Sequence, residues 1–148
     1  MILKNIPVYA SIPGQNAAKE KNVLVCGTIQ GGIVIFGKNR HNMRYFTVDA
    51  FAQEPFGGNP AGVVLLDKES CFPDDETMRK IAAEMRYSET AFIKQNGPSE
   101  FTVRYFTPAA EVDLCGHATI ASFSVLREEG IVPEGTTCIN HTKQGIWK

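Results

Sequence analysis

No two cysteines of this sequence form a Cys-x-x-Cys pair, lysine and arginine never cluster, and no apolar stretch is long enough to cross a bilayer comfortably. Each absence removes a class of function. Cys26, Cys71, Cys115 and Cys138 are widely and irregularly spaced, which argues against a zinc ribbon and against a dense disulfide framework. Scattered thiols of this kind fit a reducing, cytoplasmic compartment. Lys and Arg total 15 against 16 Asp and Glu, a net charge of -1, so no basic face for nucleic acid is expected. The most apolar run, NVLVCGTIQGGIVIFG at 22–37, holds Gln30 and four glycines. It falls short of the about 20 residues a membrane helix needs. It reads as two short strands around a Gln30-Gly31-Gly32 turn, and no membrane partner is expected. Pro7, Pro13, Gly14, Lys19 and Glu20 interrupt any apolar core of a signal peptide. His41, His117 and His141 are far apart and lack paired acidic ligands at helical spacing, so no metal constellation is expected. GGNPAG lacks the following Lys-Ser/Thr of a phosphate loop, and GTIQGG lacks the strand and helix of a nucleotide fingerprint. Internal repeats and low-complexity segments are missing as well.

What remains is a chain of 148 residues, enough for one domain, with 43% apolar and 21% charged residues. Local signals become dense after residue 43. In MRYFTVDAF, Phe46, Val48 and Ala50 alternate with Tyr45, Thr47 and Asp49, which predicts a strand. EPFGGNP (54–60) is a loop by its Pro and paired Gly. AGVVLL (61–66) is a short buried strand. PDDETMRKIAAEM (73–85) is a helix whose Met78, Ile81, Ala82 and Met85 make one apolar stripe. Asp74 is its N-cap, and Asp75 and Glu76 suit the positive end of its dipole. ETAFIKQ (89–95) and EFTVRYFT (100–107) form a hairpin around Asn96-Gly97-Pro98-Ser99. EVDL (111–114) is a short extended piece. The last residues suggest a strand, a turn at Lys143–Gly145, and the start of another strand.

The segment EVDLCGHATIASFSVLREEG (111–130) is different in kind. From Ala118 to Leu126 it carries no charge on any face, so it predicts a core helix wrapped by sheet on most sides. Arg127, Glu128 and Glu129 mark its emergence into solvent, and Gly130 suits the C′ position. Cys115, Gly116 and His117 stand at its mouth. A helix N-terminus presents unpaired N–H groups and a partial positive charge, which suits an anion. Gly116 lets a ligand approach the backbone, His117 can move a proton near neutral pH, and Cys115 can serve as nucleophile or base. Taken singly, the three also read as a turn glycine, a capping histidine and a small buried hydrophobe. Glu89, at the start of an otherwise apolar strand beside Ser88, is a candidate general acid/base or a plain solvent-facing residue. Asn59 in GGNP is either a turn residue or an amide presented to a carboxylate.

MRYFTVDAF, PFGGNPAGVVLL, IAAEMRYSETAFI and RYFTPAAEVDLCGHATIASFSVL together resemble the N-terminal half of the PhzF-like isomerases of phenazine biosynthesis, relatives of diaminopimelate epimerase. The likeness runs from about Met43 to about Gly130. It implies an α+β fold of two similar halves, each a mostly antiparallel sheet curled around one central apolar helix, with the active site between halves. It further implies cofactor-free proton transfer on a small carboxylated substrate. Glu89 takes the place of the general acid/base and His117 assists it. The Gly116–Ala118 backbone holds the carboxylate, and Ser88, Asn59 and Cys115 line the pocket. In the epimerase relatives the residue at Cys115 is one of two catalytic thiols, so a thiol-based racemase is an alternative.

On this reading residues 43–148 are one half-domain and a second half is missing. Residues 1–42 match nothing in the family and are expected to be an N-terminal extension, a candidate for upstream translation. A homodimer, a separate C-terminal half, or a non-catalytic fragment that self-associates are the partner states this implies.

Overall fold

The structure is a computed structural model and describes residues 8–9, 24–36, 41–52 and 56–148, with side chains at 43–52 and 56–148. The apolar run Ala61–Leu66 explains its layering. Successive residues of a strand face opposite sides of the sheet. Val63 and Leu65 join one buried cluster with Phe46, Val48, Ala91, Ile93, Val103 and Tyr105. Val64 and Leu66 join a second with Met43, Phe92 and Phe106. Both faces are covered, so the strand is apolar throughout, as the interior strand of a three-layer arrangement must be.

The strands are β1 (Val8–Tyr9), β2 (Leu24–Phe36), β3 (His41–Ala52), β4 (Asn59–Leu66), β5 (Thr90–Gly97), β6 (Glu100–Phe106), β7 (Glu111–Val112), β8 (Ile139–Thr142) and β9 (Gly145–Trp147). They form one sheet in the order β1-β2-β3-β4-β5-β6-β8-β9, with β7 also on β6. The pairs β1–β2, β4–β5 and β6–β8 are parallel and the other five antiparallel. The class is α+β with a mixed, mostly antiparallel sheet, as expected.

Two helices cover the two faces. α1 (Asp75–Met85) connects β4 to β5 and adds Met78 and Ala82 to the second cluster. α2 (Gly116–Glu128) lies between β6 and β8 in sequence and packs Ala118, Ala121, Phe123, Val125 and Leu126 into the first. At the end of α2 the amide of Gly130 donates to the Arg127 carbonyl and that of Ile131 to Leu126. Gly130 has φ 69°. This is a Schellman stop, and Gly130 stands at C′ as its sequence position predicts.

Two expectations need correction. The Gln30-Gly31-Gly32 turn is absent: β2 is one strand paired along β3, with a register shift between Gly31 and Ile33. Glycines inside a paired strand are absorbed as an irregularity rather than a reversal. Asn59 and Pro60 belong to β4 and pair with Ala50 and Asp49, so the loop at 54–60 is shorter than its composition suggests. α2 is buried on most sides, as expected, from Ala118 and Thr119 through Ala121 to Leu126. Leu114, Gly116, Ile120, Phe123 and Arg127 line a groove of about 270 Å³ together with Val132 and Trp147. Among the described residues, no helix is long and apolar enough to cross a membrane.

Candidate active site

The first turn of α2 is built without a side-chain cap. Cys115 is the N-cap residue, with extended backbone at φ -135° and ψ 114°, and its side chain makes no capping hydrogen bond. Its carbonyl accepts the Thr119 amide at 2.9 Å and the Thr119 hydroxyl at 2.7 Å. The amides of Gly116, His117 and Ala118 are left without a partner inside the helix. No heavy atom beyond its chain neighbours lies within 4 Å of where a Cβ on Gly116 would stand, so the backbone there is open to an incoming group. Gly62 and Gly58 are glycines for a different reason. A Cβ at Gly62 would meet Thr90 Oγ1 at 2.7 Å, and one at Gly58 would meet the Ala50 carbonyl at 2.4 Å.

A buried chain of hydroxyls and an amide holds this helix mouth from below. Tyr105 Oη and Thr119 Oγ1 are 2.7 Å apart, and Asn140 Nδ2 donates to Tyr105 Oη at 3.4 Å. Tyr105 is fully buried. Burial pushes its phenol up from the usual range, so it stays neutral while it bridges β6, α2 and β8. The sequence reading had no signal for this chain, since its members are isolated polar residues in apolar elements.

Glu89 arrives from the sheet. It precedes β5, and its carbonyl accepts the Gly62 amide at 3.1 Å, which ties it to β4. Its carboxylate Oε2 lies 3.3 Å from His117 Nε2, both side chains being partly buried. On the other side of the ring, His117 Nδ1 lies 3.2 Å from Cys115 Sγ. Burial pushes the Cys115 thiol up, the nearby Ala118 and His117 amides oppose this, and the Glu89 charge adds to it. One ligand-type atom from each of Glu89, Cys115 and His117 lies within 4.8 Å of the others. Comparing the histidines alone had missed this group, because Glu89 and Cys115 are distant in sequence.

Five of the expected site residues, Glu89, Cys115, Gly116, His117 and Ala118, therefore converge at one end of α2. Asn59 and Ser88 are exposed. Ser88 adjoins Glu89 in the chain. Asn59 is three residues ahead of Gly62 on β4, roughly 10 Å of strand from the point where β4 holds the Glu89 carbonyl. Asp49, on β3, is buried, 8% exposed, and accepts the Gly58 amide at 3.1 Å. It fastens the turn before Asn59.

Comparison with known proteins gives the same outline. The uncharacterized isomerase YfhB of Bacillus subtilis is 46% identical over 98 residues, which are 66% of this chain and 32% of that protein. A human phenazine biosynthesis-like domain-containing protein is 50% identical over 88 residues, covering 55% of this chain and 30% of that protein. The chain thus spans about a third of the length of the curated relatives it matches. A crystal structure of an Enterococcus faecalis phenazine biosynthesis protein of the PhzF family superposes with a TM-score of 0.63 at 42% identity, over 72% of this chain and 38% of that one. A predicted epimerase from Pseudomonas aeruginosa superposes with a TM-score of 0.55 at 28% identity, over 66% and 34%. The pattern of the PhzC-PhzF family, phenazine biosynthesis-like proteins, matches residues 48–148. The chain belongs to that family of PhzF-like proteins.

Proposed function

We propose that this chain carries the proton-transfer wall of a cofactor-independent isomerase that acts on a small carboxylated metabolite. The observation that supports it is the Glu89–His117 contact of 3.3 Å at the open, uncapped mouth of α2. A substrate carboxylate would accept from the Gly116, His117 and Ala118 amides, where the helix dipole favours negative charge. Those same donors would stabilise the charge that develops when a neighbouring C–H is ionised. Glu89 would take the proton from one carbon and return it to another position. His117, whose Nε2 lies 3.3 Å from the Glu89 carboxylate, would hold its geometry and share the proton. Because the relatives are about three times as long as the matched region, the facing wall is assigned to a second half or to a second copy of the chain.

The test is solvent exchange. A panel of small 2-substituted carboxylic acids is incubated with the protein in deuterium oxide and followed by proton NMR. Loss of a carbon-bound proton signal is expected, slowed about 10²–10⁴-fold in Glu89→Gln. Exchange that persists in Glu89→Gln would sink the proposal. In parallel, titration with a small carboxylate should shift the amide resonances of Gly116, His117 and Ala118, whether or not turnover occurs.

A second reading has one observation in its favour. Cys115 Sγ sits 3.2 Å from His117 Nδ1, as in a thiol–imidazole pair. A thiol-based racemase would lose all exchange on alkylation or in Cys115→Ala, whereas the glutamate mechanism keeps it in Cys115→Ala.

A further inference from the structure

Three exposed apolar side chains share one groove with the mouth of α2. Phe51 is 49% exposed, Leu114 39% and Trp147 42%, and all three line the groove that also holds Gly116. They come from separate parts of the chain: the end of β3, the approach to α2, and β9. Apolar residues scattered singly over a surface need no explanation, but apolar residues gathered in one concavity mark a place for a ligand. Phe51 is held there against its own preference. Its φ is 62°, a left-handed conformation that a bulky residue rarely adopts. Such strain concentrates where function retains it.

Size and charge define the occupant. At about 270 Å³ the groove lies at the lower end of small-molecule sites, which run to about 300–1,000 Å³, so it suits a compact body and not a long chain or a peptide. Phe51, Phe123 and Trp147 offer aromatic surface against which a flat apolar group packs well. The charged residues along it are Arg127, Lys148 and Glu134, two bases against one acid, with Arg127 lying 3.8 Å from Glu134. The positive end of the α2 dipole adds to the excess, and the space over Gly116 is open. An anion is therefore favoured over a neutral or cationic occupant.

We propose that the groove takes the apolar body of a small carboxylic acid whose carboxylate sits on the Gly116–Ala118 amides, and that Phe51, Leu114 and Trp147 select for that body. The inference rests on the anion-binding mouth of the isomerase reading and adds a substrate class to it: acids that carry a compact apolar group, aryl or branched alkyl, beside the carboxylate. Short polar acids fill the mouth alone and leave the groove to water.

Trp147 is the only tryptophan of the chain, so its fluorescence reports on the groove directly. The full chain is titrated with phenylacetate, acetate and 2-phenylethanol, and the Gly116, His117 and Ala118 amide resonances are followed in parallel. Phenylacetate should shift both the Trp147 emission and those amides, and bind about 10–100-fold more tightly than acetate, the factor expected for burying one aromatic group. Acetate should shift the amides and leave the emission unchanged. 2-Phenylethanol, which lacks the charge, should bind more weakly than phenylacetate. Phe51→Gly suits the positive φ, so it should stay folded by circular dichroism and still lose about tenfold in phenylacetate affinity. Ile146→Ser, on β9 but outside the groove lining, should keep that affinity. Equal affinity for phenylacetate and acetate, a Trp147 emission that does not respond, or unchanged affinity in Phe51→Gly would overturn the role of the groove. If neither acid moves the amides at the mouth, the anion site of the isomerase reading fails with it. Missing carbon–hydrogen exchange with phenylacetate binding intact counts against the isomerase reading alone.

Discussion

The two helices begin in opposite ways. At the start of α1, Asp74 accepts the Thr77 amide at 2.8 Å and the Thr77 hydroxyl at 3.0 Å, and Asp75 and Glu76 occupy the first turn. Arg104 bridges that turn to the sheet, bonding Asp75 at 2.9 Å and both Glu111 oxygens at 2.8 Å. α1 is thus capped, charged and tied down. α2 has no acid in its first turn and no side-chain cap, although eight of its residues are buried. A helix that is better buried but worse capped is not optimised for its own stability. The mouth of α2 lies beside Glu89 and His117, whereas α1 covers the opposite face of the sheet.

The largest contrast between the helices should come from a charge placed in their middles. Ala121 is fully buried on α2, while Ala83 is exposed on α1. Ala121→Glu buries a carboxylate against the first apolar cluster and is expected to destabilise by more than about 4 kcal/mol, leaving no cooperative urea transition. Ala83→Glu should stay within about 0.5 kcal/mol of the parent. If both variants unfold alike, α2 is not the core helix of this chain.

That contrast was legible before any coordinates. The missing polar stripe between Ala118 and Leu126 and the periodic Met78, Ile81, Ala82 and Met85 are local signals, as are the Asp74 cap and the Gly130 stop. Long-range contacts were not legible in spacing alone. The meeting of Glu89 with Cys115 and His117 was expected only through the family resemblance, and in the structure it accompanies the parallel pairing of β4 with β5. The turn expected at Gln30 failed because paired glycines signal a reversal and a strand irregularity equally well.

The next contrast concerns the caps. Asp74→Ala removes two hydrogen bonds from the α1 start and should destabilise by about 1 kcal/mol, read as a shift in the urea midpoint with unchanged slope. Cys115→Ser works in the opposite sense, because serine is a strong N-cap former and its hydroxyl can reach an amide of the first turn. A gain of up to about 1 kcal/mol is expected, together with weaker carboxylate binding at the Gly116–Ala118 amides. A stabilised variant that binds carboxylate as well as the parent would separate capping from anion binding and refute the view that the mouth is left open for a ligand.

The smallest effect is in the alkaline limb of stability, and it again concerns the mouth of α2. Burial first, and the Glu89 charge after it, hold the Cys115 thiol above its ordinary value of 9.0, and burial does the same for Cys138. In that window the unfolded chain has released protons that the folded chain retains. Proton uptake on folding means that stability falls as pH rises past 9.0, while below it these thiols contribute no pH dependence. Urea midpoints followed from neutral pH to above 9.0 should therefore decline. Cys115→Ser should make the decline shallower without removing it, because Cys138 remains. A limb as steep in Cys115→Ser as in the parent would show that the buried thiol at the mouth of α2 is not what titrates there.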